Sequence, residues 1–235
     1  MYAKLYKTAL DNNADIASCD FNRVIIKNSL TVKKPYLLDN NSISEACKKA
    51  DKEQLLVNIL SKGGYPVTKI YKRQLLLNNN LLFPEKIRYE DLAWNPLPFM
   101  YAEKYCHIPE PLYNYYINLN STTLETDSLH HFERLDTLKL FINECREREL
   151  YNNYKNFIDY YFIVHYYANS IAAIFKKFSK PDFEKIIEIQ NYVHENFPDY
   201  INQPCSRWFT NDEKLLMSLT DKNPYEAFEF YKNNT

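Results

Sequence analysis

Apolar positions recur at helical spacing from the first residues. Leu5, Tyr6, Ala9 and Leu10 share one face of residues 2–12, and Asn12-Asn13 ends the run. Residues 14–26 change period and read as a strand, with Ile16, Val24 and Ile25 around Ser18-Cys19-Asp20-Phe21. A helix followed directly by a strand predicts an α/β fold. Residues 27–41 are polar and rich in Asn and Lys, a loop. Ser42-Ile43-Ser44-Glu45 and Asp51-Lys52-Glu53-Gln54 both have capping-box spacing and predict one or two helices ending near Ser61. Gly63-Gly64-Tyr65-Pro66 is a turn.

Residues 67–95 join a basic segment (Lys69, Lys72, Arg73), an apolar helix-like run, a break at Phe83-Pro84 and a second helix opening at Tyr89-Glu90-Asp91. That helix points toward Tyr105, and Pro96 and Pro98 predict a kink or restart inside it. Residues 105–109 and 112–117 read as short strands, and 118–126 as a loop. Beyond that the period is helical throughout: 128–148, 151–178, 181–197, 211–219 and 224–232, with Pro181, Pro198 and Pro204 at joints. The expected division is an α/β domain with short strands over residues 1–126 and a mostly α-helical region over 127–235.

Charge and composition narrow the function. With 29 Lys+Arg against 30 Asp+Glu, the net charge of −1 gives no electrostatic reason to expect nucleic acid as a partner. Only 2 glycines, adjacent in one turn, argue against a phosphate-cradling loop. Cys19, Cys47, Cys106, Cys145 and Cys205 are scattered with no Cys-x-x-Cys pair, which reads as reduced thiols rather than a disulfide framework or zinc site. No signal peptide opens the chain, and the most apolar window, residues 160–175, contains His165, Asn169 and Ser170 and falls short of a membrane span. The expected location is cytoplasmic. The aromatic residues 160–167 read as helix-packing core, with peripheral docking on the inner membrane face near Lys176-Lys177 as the alternative.

Candidate chemistry is sparse. Glu90 and Asp91 at a helix start either complement its free N–H groups or supply acid–base catalysis. Lys69, Lys72 and Arg73 either meet a diphosphate or form a solvated helix face. Tyr113 and Tyr115 share one face of a strand, where they stack on a sugar ring or pack against neighbours. The histidines have no metal-ligand spacing, and His130 and His131, adjacent on a helix, are expected to point apart and to be structural or exposed. There is no Asp-x-Asp anywhere in the chain.

Several of these segments together resemble a known family. Lys69-Ile70-Tyr71-Lys72-Arg73, Phe83-Pro84, Tyr89-Glu90-Asp91-Leu92, Ile108-Pro109-Glu110-Pro111-Leu112-Tyr113-Asn114-Tyr115 and Asn120-Ser121-Thr122 are similar to the acceptor-side half of bacterial family 2 glycosyltransferases. Leu5-Tyr6 and Ala14-Asp15-Ile16 with Ser18-Cys19-Asp20 resemble the family's helix and strand that follow its metal-binding Asp-x-Asp. The resemblance implies a partial GT-A-like (Rossmann-like) fold and inverting transfer of a sugar from a nucleotide-sugar to a glycan or lipid-linked acceptor, as in cell-wall or capsule polysaccharide synthesis. It implies that Asp91 is the catalytic base with Glu90 assisting, and that Lys69, Arg73, Tyr89, Tyr113 and Tyr115 contact substrate. Val67-Thr68-Lys69 departs from the family's usual Trp-Asn-Lys, and Tyr116 stands where the family often has Arg.

The resemblance also implies that the nucleotide-binding half, with Asp-x-Asp and its Mg²⁺ or Mn²⁺, lies before residue 1. The chain alone is then expected to be inactive. The strand over residues 14–26 is expected to expose an open edge, favouring a separately encoded half or a homodimer as partner. The alternatives are a non-catalytic glycan- or protein-binding module and an all-helical scaffold.

Overall fold

The computed structural model describes residues 1–27, 30–37, 52–118, 121 and 124–234. The capping box at Ser42, the first residue of the box at Asp51, Cys47, Asn120 and Thr122 lie outside the described residues. The chain divides into two compact units, Met1–Lys86 with Glu90–Ser121, and Ile87–Tyr89 with Thr122–Thr235.

The first unit opens with helix α1 (Tyr2–Asn12), stopped where Asn13 turns left-handed (φ 48°) and its N–H reaches back to Ala9 and Leu10. Strand β1 (Ile16–Lys27) follows and is the centre of a four-stranded mixed sheet. It pairs antiparallel with β2 (Leu30–Tyr36) through Phe21–Lys27 and with β3 (Lys69–Tyr71) through Ile16–Ser18. On its other side β4 (Tyr105–Tyr116) runs parallel through Ile16–Val24. The expected open edge on β1 is therefore corrected: both of its edges have backbone partners. One of them, β2, falls in residues read from sequence as loop. The two short strands expected at 105–117 are one continuous strand with irregular register near Asp20. An all-helical scaffold is excluded by this sheet.

Helix α2 (Lys52–Gly63) precedes the turn at Tyr65, α3 (Arg73–Asn78) follows β3, and α4 (Glu90–Trp94) and α5 (Pro96–Tyr101) precede β4. The restart expected at Pro96 is there, since a proline tolerates the first turn of a helix but not its interior. One face of the sheet is apolar: Ala17 and Cys19 pack with Leu5 of α1, flanked by Ile70, Cys106 and Ile108. The opposite face meets α4 and α5, with Tyr71 edge-on to Trp94 at 5.2 Å and Phe99 edge-on to Tyr105 at 5.5 Å.

The second unit is helical: α6 (Glu133–Glu147), α7 (Leu150–Asn153), α8 (Lys155–Ile163), α9 (Asn169–Lys177), α10 (Phe183–Asn196), α11 (Asn211–Lys222) and α12 (Pro224–Asn234). A π-helical turn, Val164–Ala168, joins α8 to α9. The aromatic stretch around it is core, as expected: Phe162, Tyr166 and Tyr167 are at most 1% exposed, and Phe162 stacks on Tyr166 and Phe197. Those enclosed rings offer nothing to a membrane surface, and no helix among the described residues is long and apolar enough to cross one.

Candidate functional site

The sheet face under α4 and α5 is polar, which follows from its register. Ser18 stands opposite Lys69 on β3 and His107 on β4, so the three side chains project to one side, and Asp20 joins them two residues along β1. Ser18 Oγ lies 2.5 Å from the Tyr105 hydroxyl and 2.7 Å from His107 Nδ1, while His107 Nε2 is 3.1 Å from Asp20 Oδ1. Burial lowers the His107 pKa, opposed by Asp20. A carboxylate only accepts, so Nε2–H donates to Asp20; in the neutral tautomer that this fixes, Nδ1 accepts from Ser18 and Ser18 accepts from Tyr105. Ser18 is 1% exposed and Asp20 0%. A serine so enclosed cannot meet a substrate, and the chain of bonds serves to clamp β1 to β4.

Lys69 is enclosed as well, at 6% exposure, with its ammonium 5.9 Å from the Phe99 ring centroid. Burial pulls its pKa down to about 7. The Nζ donates to the Tyr65 carbonyl at 2.7 Å, and the Thr68 hydroxyl donates to the same oxygen at 2.9 Å. Asn95 bonds the neighbouring Gly64 carbonyl. A β-carbon added at Gly64 would come within 3.2 Å of Asn95 Nδ2, so the close approach favours glycine there. Lys69 thus faces its own backbone: the diphosphate contact expected of it meets a side chain already committed to holding Tyr65.

Tyr65 is the point where the accessible site residues converge. Its ring is 5.0 Å from Phe21, 6.0 Å from Tyr115 and 6.4 Å from Tyr36, and Phe21 stacks on Tyr36 at 4.8 Å. Phe21 is 4% exposed, whereas Tyr65 and Tyr115 are 36% and 39% exposed, so the cluster has a buried base and an accessible upper surface. Burial raises the Tyr65 pKa, and Asp91 is close enough to add to that rise. Asp91 is half-buried in the first turn of α4, with Glu90 beside it exposed. Tyr113 stands opposite Phe21 in the β1–β4 register, next to the cluster.

Other residues singled out from sequence lie elsewhere. Arg73 begins α3 and is exposed, and Lys72 is exposed and paired with Asp15 at 3.4 Å. Tyr89 belongs to the second unit, where its hydroxyl meets His131 Nδ1 at 2.7 Å and its backbone is left-handed (φ 61°). His130 and His131 do not point apart as expected. Their ring centroids are 4.2 Å apart in a 3-10 turn, because His131 bonds the Glu125 carbonyl while His130 faces the Glu125 carboxylate. Sequence reasoning missed Tyr65 and the Ser18–His107–Asp20 chain. The signal for the latter was present only as polar residues inside two strand-like runs.

The Mg²⁺ or Mn²⁺ implied by the family resemblance has no fitting ligands here: no group of three His, Cys, Asp or Glu side chains among the described residues could hold a metal ion. Asp20, the carboxylate nearest the sheet centre, is engaged with His107.

No family model and no curated protein matches the sequence. Among solved structures the chain is similar to S. aureus TarS 1-349, a glycosyltransferase crystallised in complex with UDP, at a TM-score of 0.58 and 11% identity. The match covers 99% of this chain and 61% of that one, so the chain spans about three fifths of the 1-349 segment of TarS. At that identity the likeness speaks for the fold alone, which this chain shares with the matched part of TarS.

Proposed function

We propose that this chain is the acceptor-side part of an inverting, family 2-like glycosyltransferase, with Asp91 as the general base. The observation that carries the reading is a half-buried Asp91 in the first turn of α4, whose charge is felt at the Tyr65 hydroxyl, on a fold similar to that of S. aureus TarS. The Asp91 carboxylate takes the proton from an acceptor hydroxyl as its oxygen bonds the anomeric carbon. The bond from that carbon to the nucleoside diphosphate breaks on the opposite face, which inverts the configuration. Tyr65, pinned through its carbonyl by Lys69 and Thr68, fixes the acceptor ring beside Asp91 without itself losing a proton. Glu90, exposed at the helix start, assists by adding negative charge. The UDP bound by S. aureus TarS supports a nucleotide-sugar as the donor. We assign the donor-binding half and its metal to sequence outside these residues, on the order of the motifs quoted above.

The test is transfer by this chain joined to a donor-binding half. Asp91→Asn is expected to lower kcat by about 10²–10⁴-fold while donor affinity stays within error, and Glu90→Gln to cost less. The chain alone, incubated with UDP-, GDP- and dTDP-sugars and Mn²⁺, is expected to release no nucleotide above background. A Glu90→Gln variant far more damaged than Asp91→Asn would reverse the roles, and equal activity in both would remove the assignment. A non-catalytic glycan-binding module is the second reading, favoured by an aromatic surface that does not itself require a base; glycan binding with no transfer in any combination would select it.

A further inference from the structure

The aromatic surface has a cationic margin that base catalysis at Asp91 leaves unexplained. Arg23 places its guanidinium carbon 6.0 Å from the Tyr36 ring centroid, and its charge counteracts part of the rise in the Tyr65 pKa, so it stands within reach of that hydroxyl. In the sheet register Arg23 is opposite Lys34 on β2 and Tyr115 on β4. Directly opposed residues project to the same side of a sheet, so Lys34, Arg23 and Tyr115 form a row across three strands. The next row is Tyr36, Phe21 and Tyr113. Arg23, Lys34 and Tyr115 are all exposed. Two cations therefore border the rings that Tyr65 meets at Phe21, Tyr36 and Tyr115.

We propose that this surface is a subsite for an anionic carbohydrate, with the ring of the sugar on Tyr65 and Tyr115 and its phosphate or carboxylate on Arg23 and Lys34. The proposal rests on the reading of this face as the acceptor side of a glycosyltransferase and names the acceptor class. The C–H face of a sugar ring is apolar enough to stack on a phenol ring, and the planar guanidinium matches two oxygens of a phosphate or carboxylate at once. The span of two cations suits one or two acidic groups. It does not suit a nucleic acid backbone, which needs many cations and meets a chain of net charge −1.

Calorimetric titration of the full chain with four probes tests this: hexagalacturonate, a pentasaccharide ending in mannose 6-phosphate, maltohexaose and UDP. Both anionic oligosaccharides are expected to bind roughly tenfold more tightly than maltohexaose. That advantage should shrink as salt rises from 50 to 300 mM, since the cations are exposed. Arg23→Gln is expected to abolish the advantage and leave maltohexaose unchanged, with Lys34→Gln removing a smaller part. Tyr115→Ala is expected to weaken all three oligosaccharides, and circular dichroism checks that each variant is folded. Equal binding of charged and neutral oligosaccharides overturns the proposal. So does a preference that survives Arg23→Gln, binding of no oligosaccharide at all, or Arg23-dependent binding of UDP alone. Arg23-dependent binding without Asp91-dependent transfer in the joined enzyme would keep the subsite and remove the transferase reading. Asp91-dependent transfer to a neutral acceptor, undiminished by Arg23→Gln, would do the reverse.

Discussion

At Tyr71, two residues beyond Lys69 on β3, the interior holds a hydroxyl that has no hydrogen-bond partner among the described residues. The ring packs edge-on to Trp94, and burial lifts the phenol pKa above the usual tyrosine range. A buried hydroxyl left unpaired costs about 1–3 kcal/mol, and phenylalanine keeps the ring while removing the oxygen. Tyr71→Phe is therefore expected to raise the unfolding free energy by about 1 kcal/mol in a urea titration; a loss of that size would show that the hydroxyl is bonded. At this scale the chain was partly legible. Asp91 and Tyr115 stood out locally, as a carboxylate at a helix start and a tyrosine in an alternating run. Tyr65 looked like turn punctuation, and the bond between Ser18 and His107 joins residues 89 apart, which no local pattern reports.

Among the elements, α1, β1 and the proline-marked joints of the second unit followed from periodicity and breakers. The strand β2 did not, because it carries the signs by which outer strands avoid pairing with other chains: Lys33, Lys34 and Pro35 in succession, all exposed. Polar content read as loop was edge protection. In the second unit, Asp221 of α11 accepts from Tyr167 in the π-helical turn, from Tyr200 at 2.7 Å, and from His194 at 2.9 Å and Gln190 at 3.3 Å on α10. Burial and this carboxylate together raise the pKa of Tyr167 and Tyr200. Asp221→Asn turns one acceptor atom toward donors that already point at it. A loss of about 2–4 kcal/mol is expected by thermal unfolding, a larger effect than one surface bond would give. A change below about 0.5 kcal/mol would mean that these elements hold together without the carboxylate.

For the molecule as a whole, the change from mixed period to helical period foretold an α/β part followed by helices. The closing of both β1 edges was not legible, since strand partners are chosen by contacts far apart in sequence. Buried bases in both units set the response to pH. Lys69 has a folded pKa of about 7 against an ordinary 10.5, so across that window the unfolded chain holds a proton the folded chain has shed. Stability therefore rises with pH between those values, and below about pH 7 the full cost of the buried ammonium remains. His165, pushed down to about 3 by burial, makes stability fall as pH drops from 6.5 toward that value, and His107 acts in the same direction. Lys69→Met is expected to raise stability clearly at pH 6 and little at pH 10, at about 1.4 kcal/mol per unit of pKa displacement removed. Denaturant midpoints at the two pH values measure it, and equal gains at both would contradict a buried, displaced ammonium.

The irregular register near Asp20 has a consequence for how this segment tolerates insertion and deletion. From Cys19 to Phe21 β1 advances two residues while its partners on β4 advance five, from Ile108 to Tyr113, an excess of three. Cys106, Ile108 and Leu112 all pack against the cluster of Leu5, Ala17 and Cys19, so the even-numbered residues of β4 keep to that side through the irregularity, and His107, Tyr113 and Tyr115 to the other. The length of residues 109–112 is thereby quantised. Removing or adding two residues there preserves which way Tyr113 and Tyr115 look, whereas a change of one moves both rings to the side of the sheet that faces α1.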